Sequence, residues 1–202
     1  MELMDVIRSR RSIRSFKPDP VPDEIMQEIL DAGRLAPSAL NAQNWHFGVI
    51  TDHNFIKQLV GAAGGQLWVA EAPVLIALCV RIDTDLRDKH DDDPEVRLVR
   101  TRYGGKLIDY VNEYPDRKTM NALLHSPDVL LAGQQMQLAA VNHGLSTCWV
   151  SYMDLNRVCE LLELPENITC TYMMALGYGK GKPDPIERRE LKDIVFHNKW
   201  GS

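Results

Sequence analysis

At 202 residues the chain is long enough for one domain with a sizeable core, and its 45% hydrophobic content excludes a disordered polymer. Twenty-eight acidic against 23 basic residues give a formal net charge of −5, which excludes the broad basic field that a nucleic-acid backbone requires. No run approaches ~18 apolar residues and the charged N-terminus has no apolar leader segment, so neither a membrane span nor a signal peptide is expected and the chain reads as cytoplasmic.

Leu3, Val6 and Ile7 recur at helical spacing and predict a short helix ending near Arg8 to Arg10. After "PDPVP", Pro22, Asp23 and Glu24 open an amphipathic helix with Ile25, Met26, Ile29, Leu30 and Gly33 on one face, stopped by Pro37. "PSALNAQNW" is a loop. "HFGVIT" and "PVLIALCV" are strand-length apolar runs around a predicted helix, and the lack of alternation in the second predicts a strand covered on both faces. From Arg81 to His125 charges become dense and apolar residues sparse, which marks a solvated excursion or a cover over a site. "SPDVLLAGQQMQLAAVNHG" predicts a centrally buried helix capped by Asp128 and ended by Gly144. "LSTCWV" and "TCTYMMALGYG" predict strands, with a helix over "DLNRVCELLEL" between them, capped by Asp154 and stopped by Pro165. No repeat or linker divides residues 1–202, so the order predicts a single α+β domain, a sandwich or a mixed sheet flanked by helices.

Cys79, Cys148, Cys159 and Cys170 lie in or beside apolar runs, without a CxxC pair or a histidine at ligand spacing. They read as buried small hydrophobes rather than a metal site or a disulfide framework. "DKHDDDPE" lacks the spaced ligands of a calcium loop and reads as a helix start or a solvated loop. "GYGKGK", Gly177 to Lys182, matches neither GxxxxGK[ST] nor GxGxxG and reads as a flexible turn.

The stretch "RRSIRSFK" raises a sharper question. In an extended segment Arg10, Ser12 and Arg14 fall on one side, with Arg11 and Ile13 on the other. Two guanidiniums flanking a hydroxyl can wrap one phosphate through charge-assisted hydrogen bonds, and arginines salt-bridged to the abundant carboxylates fit the stretch equally well. No nucleophile with a partnered base can be placed, which is the pattern of an enzyme whose chemistry resides in a cofactor.

Read together, "RRSIRSF", "APSALNAQNWHF", "LAAVNHGLSTCWVSYMD" and "RRELKDIV" run in an order that resembles the nitroreductase family of FMN-dependent oxidoreductases across nearly the whole chain. The resemblance implies an α+β, nitroreductase-like mixed sheet flanked by helices, and an intertwined homodimer with two FMN molecules at its interface. It places Arg10, Arg11 and Ser12 at the flavin phosphate and Arg14 towards the ring. Pro37, Ser38, Ala39 and Asn41 match the loop that approaches from the partner subunit. Val150, Ser151 and Tyr152 match the turn whose amides face the reactive edge, Gln66 falls near the pyrimidine side, and Arg188 and Arg189 match a second cationic contact to the phosphate. Ser151-Tyr152 replaces the commoner Gly-Gly, "QNW" replaces Gln-Pro-Trp, and Glu190 stands where a proline often follows the basic pair.

The implied chemistry is hydride transfer from NADH or NADPH to flavin N5 and on to a nitroaromatic, quinone or similar small-molecule acceptor, by a ping-pong mechanism with no catalytic side chain. The 81–125 excursion is expected to shape the acceptor site, with Tyr103, Tyr110 and Tyr114 lining it or anchoring it. Relatives that break down flavin or remove halogen from aromatics share the N-terminal motif and form an alternative. A flavin-binding redox module without turnover is another.

Overall fold

The apolar run without alternation forms the middle of the sheet. In the computed structural model, which describes residues 1–82, 89–181 and 183–201, strand β2 (Val74–Arg81) is buried along all but its last residue. It pairs antiparallel with β1 (Trp45–Ile50) on one side and with β4 (Ile168–Gly177) on the other, and β3 (Ser146–Val150) completes the order β1-β2-β4-β3. A bulge leaves Thr171 unpaired between Leu78↔Tyr172 and Cys79↔Cys170, and its hydroxyl donates to the Leu78 carbonyl at 3.2 Å. The four strands are antiparallel; the mixed character enters through a parallel bridge from Ser12 to Thr147 at the β3 edge.

Side-chain alternation along β2 feeds two layers. Leu75, Ala77 and Cys79 pack with α3 (His53–Ala62) and α7 (Leu155–Leu161), while Val74, Ile76, Leu78 and Val80 pack with α2 (Asp23–Arg34) and α6 (Arg117–Asn142). Burying each Leu or Ile contributes roughly 1.5–3 kcal/mol, whereas an exposed pair such as Arg34–Asp31 contributes about 0–1 kcal/mol. The double-sided strand therefore sets the scaffold, and surface charge does not.

Helix α1 (Leu3–Ser9) ends where expected, and Asp154 caps α7 by accepting from the Arg157 amide at 3.0 Å. The expected cap at Asp128 is corrected. Helix α6 begins about three turns earlier, with Asp116 accepting from the Thr119 amide, and runs through Pro127. Proline removes the N–H that would reach the Leu123 carbonyl, and the Ser126 hydroxyl donates to that same carbonyl at 3.0 Å. Asp128 instead accepts from the Ala39 amide at 3.2 Å. At the other end Gly144, at φ 76°, closes the helix as expected.

The 81–125 excursion contains α4 (Pro94–Tyr103) and α5 (Gly105–Glu113), split at Gly104 with φ 85°. Val96, Val99 and Ile108 form a small cluster of their own against Leu124. Its residues 83–88 lie outside the described residues. Tyr110 and Tyr114 pair edge-tilted at 5.7 Å, and Tyr103 lies beneath the Arg102 guanidinium.

Candidate cofactor site

Residues 10–17 leave α1 as an extended segment because Ile13 and Phe16 are drawn into the core and their neighbours are not. The Ile13 amide donates to Thr147 at 3.0 Å, Lys17 donates to Tyr178 at 2.7 Å, and Lys180 donates back to Ser15 at 2.8 Å. The Gly177–Lys182 stretch, expected to be a loose turn, is thus partly a seat for the N-terminal segment, with Phe16 bridged to Gly179; Lys182 lies outside the described residues. Gly179 is needed there, since an added Cβ would come within 2.6 Å of Ser146 Oγ. Glu71 fastens the segment from below. It accepts from the Ser15 hydroxyl at 3.0 Å, the Phe16 amide at 3.3 Å and Lys180 Nζ at 3.5 Å. The Ser15 hydroxyl first, then the Phe16 amide, hold its carboxyl below the usual range.

This pinning produces the alternation read from the sequence. The Ser12 bridge to Thr147 and the Ile13 amide lay the segment along β3 beside Cys148, whose thiol is raised by burial and pulled back down by Arg14, the Ser12 hydroxyl and Arg10. Ser12 and Arg14 are exposed and Arg10 is half-buried. Among the described residues neither Arg10 nor Arg14 is paired with a carboxylate, in a chain with an excess of carboxylates. Arg11 takes the opposite side: its Nη1 donates to the Arg8 and Arg10 carbonyls at 2.7 and 2.8 Å and so closes the end of α1.

Next to this cluster, the Arg14 guanidinium lies 5.7 Å over the Trp68 ring. Gln66 Nε2 donates to the carbonyls of Ala63 at 2.9 Å and Tyr152 at 3.0 Å, and the Asp154 amide donates to Ala62 at 2.7 Å. The turn after β3 is thereby tied to the 62–66 loop. Gly64, at φ 64°, leaves room for the Tyr152 ring, which an added Cβ would meet at 2.4 Å. Val150 is buried, Ser151 and Tyr152 are exposed, and among the described residues neither of their amides donates within the chain. Sequence reasoning missed Gly64, Trp68, Glu71 and Cys148, because each acts through a contact distant along the chain.

Among the described residues no hydrogen bond links two other predicted sets to this cluster, and the 37–41 loop leads into β1, at the sheet edge opposite β3. Ser38, Ala39 and Asn41 follow Pro37 in a loop that bonds to Asp128 and to itself, with Gln43 donating to Ser38 Oγ at 3.0 Å. Leu40, Asn41 and Gln43 all hold positive φ, between 47° and 55°, a strained backbone of the kind that collects at functional sites. Arg188 and Arg189 are exposed in a tail whose Arg189 donates to the nearby Asp193 carbonyl.

Known proteins resemble the chain in sequence and in fold. The chain is 32% identical over 190 residues to an NADH dehydrogenase of Thermus thermophilus, covering 93% of this chain and 91% of that one. It is 34% identical over 182 residues to an FMN reductase [NAD(P)H] of Bacillus subtilis, covering 88% of this chain and 66% of that one. Its fold superposes on the NADPH:FMN oxidoreductase of Vibrio harveyi complexed with NAD+ at a TM-score of 0.75 and 26% identity, over 99% of this chain and 78% of that one. The pattern of the nitroreductase family matches residues 7–178, and the chain belongs to that family.

Proposed function

We propose that the protein is an FMN-dependent oxidoreductase that passes reducing equivalents from NADH or NADPH to nitroaromatic, quinone or related small-molecule acceptors, alternating donor and acceptor at one site in a ping-pong cycle. The observation that carries this is two guanidiniums flanking an exposed serine, neither paired with a carboxylate among the described residues, and the Ser151 and Tyr152 amides, which find no acceptor among them. That donor set fits a phosphate joined to an electron-rich ring. Arg10 and Ser12 would hold the phosphate, with Arg188 or Arg189 as a further cation. Arg14, braced on Trp68, would sit towards the ring, where a fixed cation stabilises accumulating negative charge. The Ser151 and Tyr152 amides would face the reactive edge, and Gln66 the pyrimidine side. Bound there, FMN supplies the hydride chemistry, so no side-chain acid or base is required.

The separation of the 37–41 loop from the arginine segment supports an intertwined homodimer in which Pro37, Ser38, Ala39 and Asn41 serve the flavin of a second copy. The exposed tail points the same way: Leu191, Ile194, Val195, Phe196 and Trp200 are all more than half exposed in one chain. The visible spectrum of the purified protein, recorded anaerobically before and after NADH or NADPH, tests the reading. Flavin bands that bleach with nicotinamide and recover with a quinone are expected. A yellow protein that neither nicotinamide bleaches is a binding module, and a colourless one that takes up no FMN ends the proposal.

A further inference from the structure

The short 3-10 helix Leu67–Glu71 makes two contacts to the arginine segment. At about three residues per turn, Trp68 and Glu71 share one face of it, while Val69 turns into the core and is fully buried. Glu71 accepts from the Ser15 hydroxyl and the Phe16 amide. Trp68, itself packed against the core, lies under the Arg14 guanidinium, 5.7 Å from Cζ to the ring centroid. The start of the helix is fixed as well. Gln66 Nε2 donates to the carbonyls of Ala63 at 2.9 Å and Tyr152 at 3.0 Å, and carbonyls only accept, so the amide has one orientation. One element therefore holds the segment at residues 14, 15 and 16 and, through Gln66, the turn after β3.

The Trp68 ring is what fixes Arg14. The side chain is exposed, and among the described residues it donates no hydrogen bond and meets no carboxylate. A guanidinium on a long stem otherwise samples many directions, and holding it in one costs rotamer entropy. A ring face beneath it favours one placement by about two- to fivefold at an exposed site, and by more once a ligand excludes water. A cation already in place where negative charge accumulates stabilises that charge better than one that must first reorient.

We propose that Trp68 is a positioning residue for Arg14, and that through this guanidinium it sets the reduction potential of the flavin the site binds. The proposal rests on the flavin reading above. Removing the ring frees Arg14 and weakens its hold on the negative charge of the reduced cofactor. The potential then falls, so the cofactor is harder to reduce with nicotinamide and more reducing towards acceptors.

The equilibrium potential of the FMN-loaded protein, read anaerobically against a redox dye, tests this apart from turnover. Arg14→Gln is expected to lower the ratio of reduced to oxidised flavin at a fixed potential by at least about tenfold, or ~30 mV for a two-electron couple. Trp68→Leu should lower it by about two- to fivefold, ~10–20 mV, and Trp68→Phe, which keeps a ring face, by less. Trp68→Leu added to Arg14→Gln should lower it no further, because the ring then has no cation to hold. Arg14 is exposed, so its variant folds, and Trp68→Phe keeps the packing if the leucine variant does not. In that case the phenylalanine variant carries the same comparison, with a shift in the wild-type background and none in Arg14→Gln. Without flavin, Arg14→Gln should change the indole emission of the wild type but not that of the Trp68→Phe protein. A potential unchanged by either Trp68 substitution, a full shift that persists in the Arg14→Gln background, or an emission change that survives loss of Trp68 overturns the assignment and leaves the flavin reading standing. A protein that takes up no FMN ends the flavin reading, and the role assigned to Trp68 with it.

Discussion

Arg10 and Ser12 stand out because, among the described residues of an acidic chain, the guanidinium has no carboxylate partner and the serine is exposed. Each charge-assisted contact to a phosphate is worth about 1.5–3 kcal/mol, so replacing both with alanine is expected to weaken FMN binding about 100-fold or more, read by quenching of flavin fluorescence on titration. Unchanged affinity would place the phosphate elsewhere. Glu71 is a positioning residue beneath this pair, and its pH behaviour is distinctive. Its folded-state carboxyl is depressed below the ordinary 4.5, so its stabilisation is complete above that value and is lost as pH falls through the lower folded value. The melting profiles of the wild type and Glu71→Gln should therefore diverge above pH 4.5 and converge at the acid end. Asp128 has the opposite sign. Burial, the larger influence, raises its carboxyl above the ordinary 3.8, so ionisation costs stability as pH rises through that range. Asp128→Asn keeps an acceptor for the Ala39 amide and should flatten that loss in melting curves recorded from acid to neutral pH.

Helix α6 shows what was legible at the scale of the element and what was not. Its buried C-terminal half and Gly144 stop follow from the apolar pattern and glycine's tolerance of positive φ. Its true start was hidden because Pro127 reads as a boundary and Asp128 as a cap. The helix nevertheless continues through Pro127, and the Ser126 hydroxyl supplies the Leu123 carbonyl with the donor that the proline lacks. Contacts of long sequence separation were equally unreadable: Asn44 and His125 are 81 positions apart, and nothing local marks either as the other's partner. Close packing of α6 on the sheet gives its own prediction. An added methyl at Gly133 would stand 2.4 Å from the Trp149 ring and 2.9 Å from Leu78. Gly133→Ala is expected to lower stability by about 1–3 kcal/mol, seen as a lower urea midpoint with an unchanged slope.

For the whole molecule, element order, the two-sided β2 and the alternation at Arg10, Ser12 and Arg14 were legible because each depends on residues close along the chain. The contacts that fasten the arginine segment, Ser15 to Glu71 and Arg14 to Trp68, were not, since more than fifty positions separate each pair, and the assignment of the 37–41 loop to a second copy came from the family resemblance rather than from any local pattern. Two copies joined through the exposed tail should show by light scattering as a particle of twice the chain mass. Removing residues 183–202 should return it to the single-chain mass and release bound FMN, while a tail-less protein that stays paired would exclude the tail from the interface. The seating of the arginine segment also orders events during synthesis. Arg10, Ser12 and Arg14 leave the ribosome first, yet the groups that hold their segment, the Thr147 and Tyr178 carbonyls and the Lys180 amide, are made near the end. Such distant pairing is slow and comes late in folding. If the segment cradles the phosphate as proposed, that cradle cannot form on a nascent chain until Lys180 has emerged, and cofactor loading would follow translation rather than guide it.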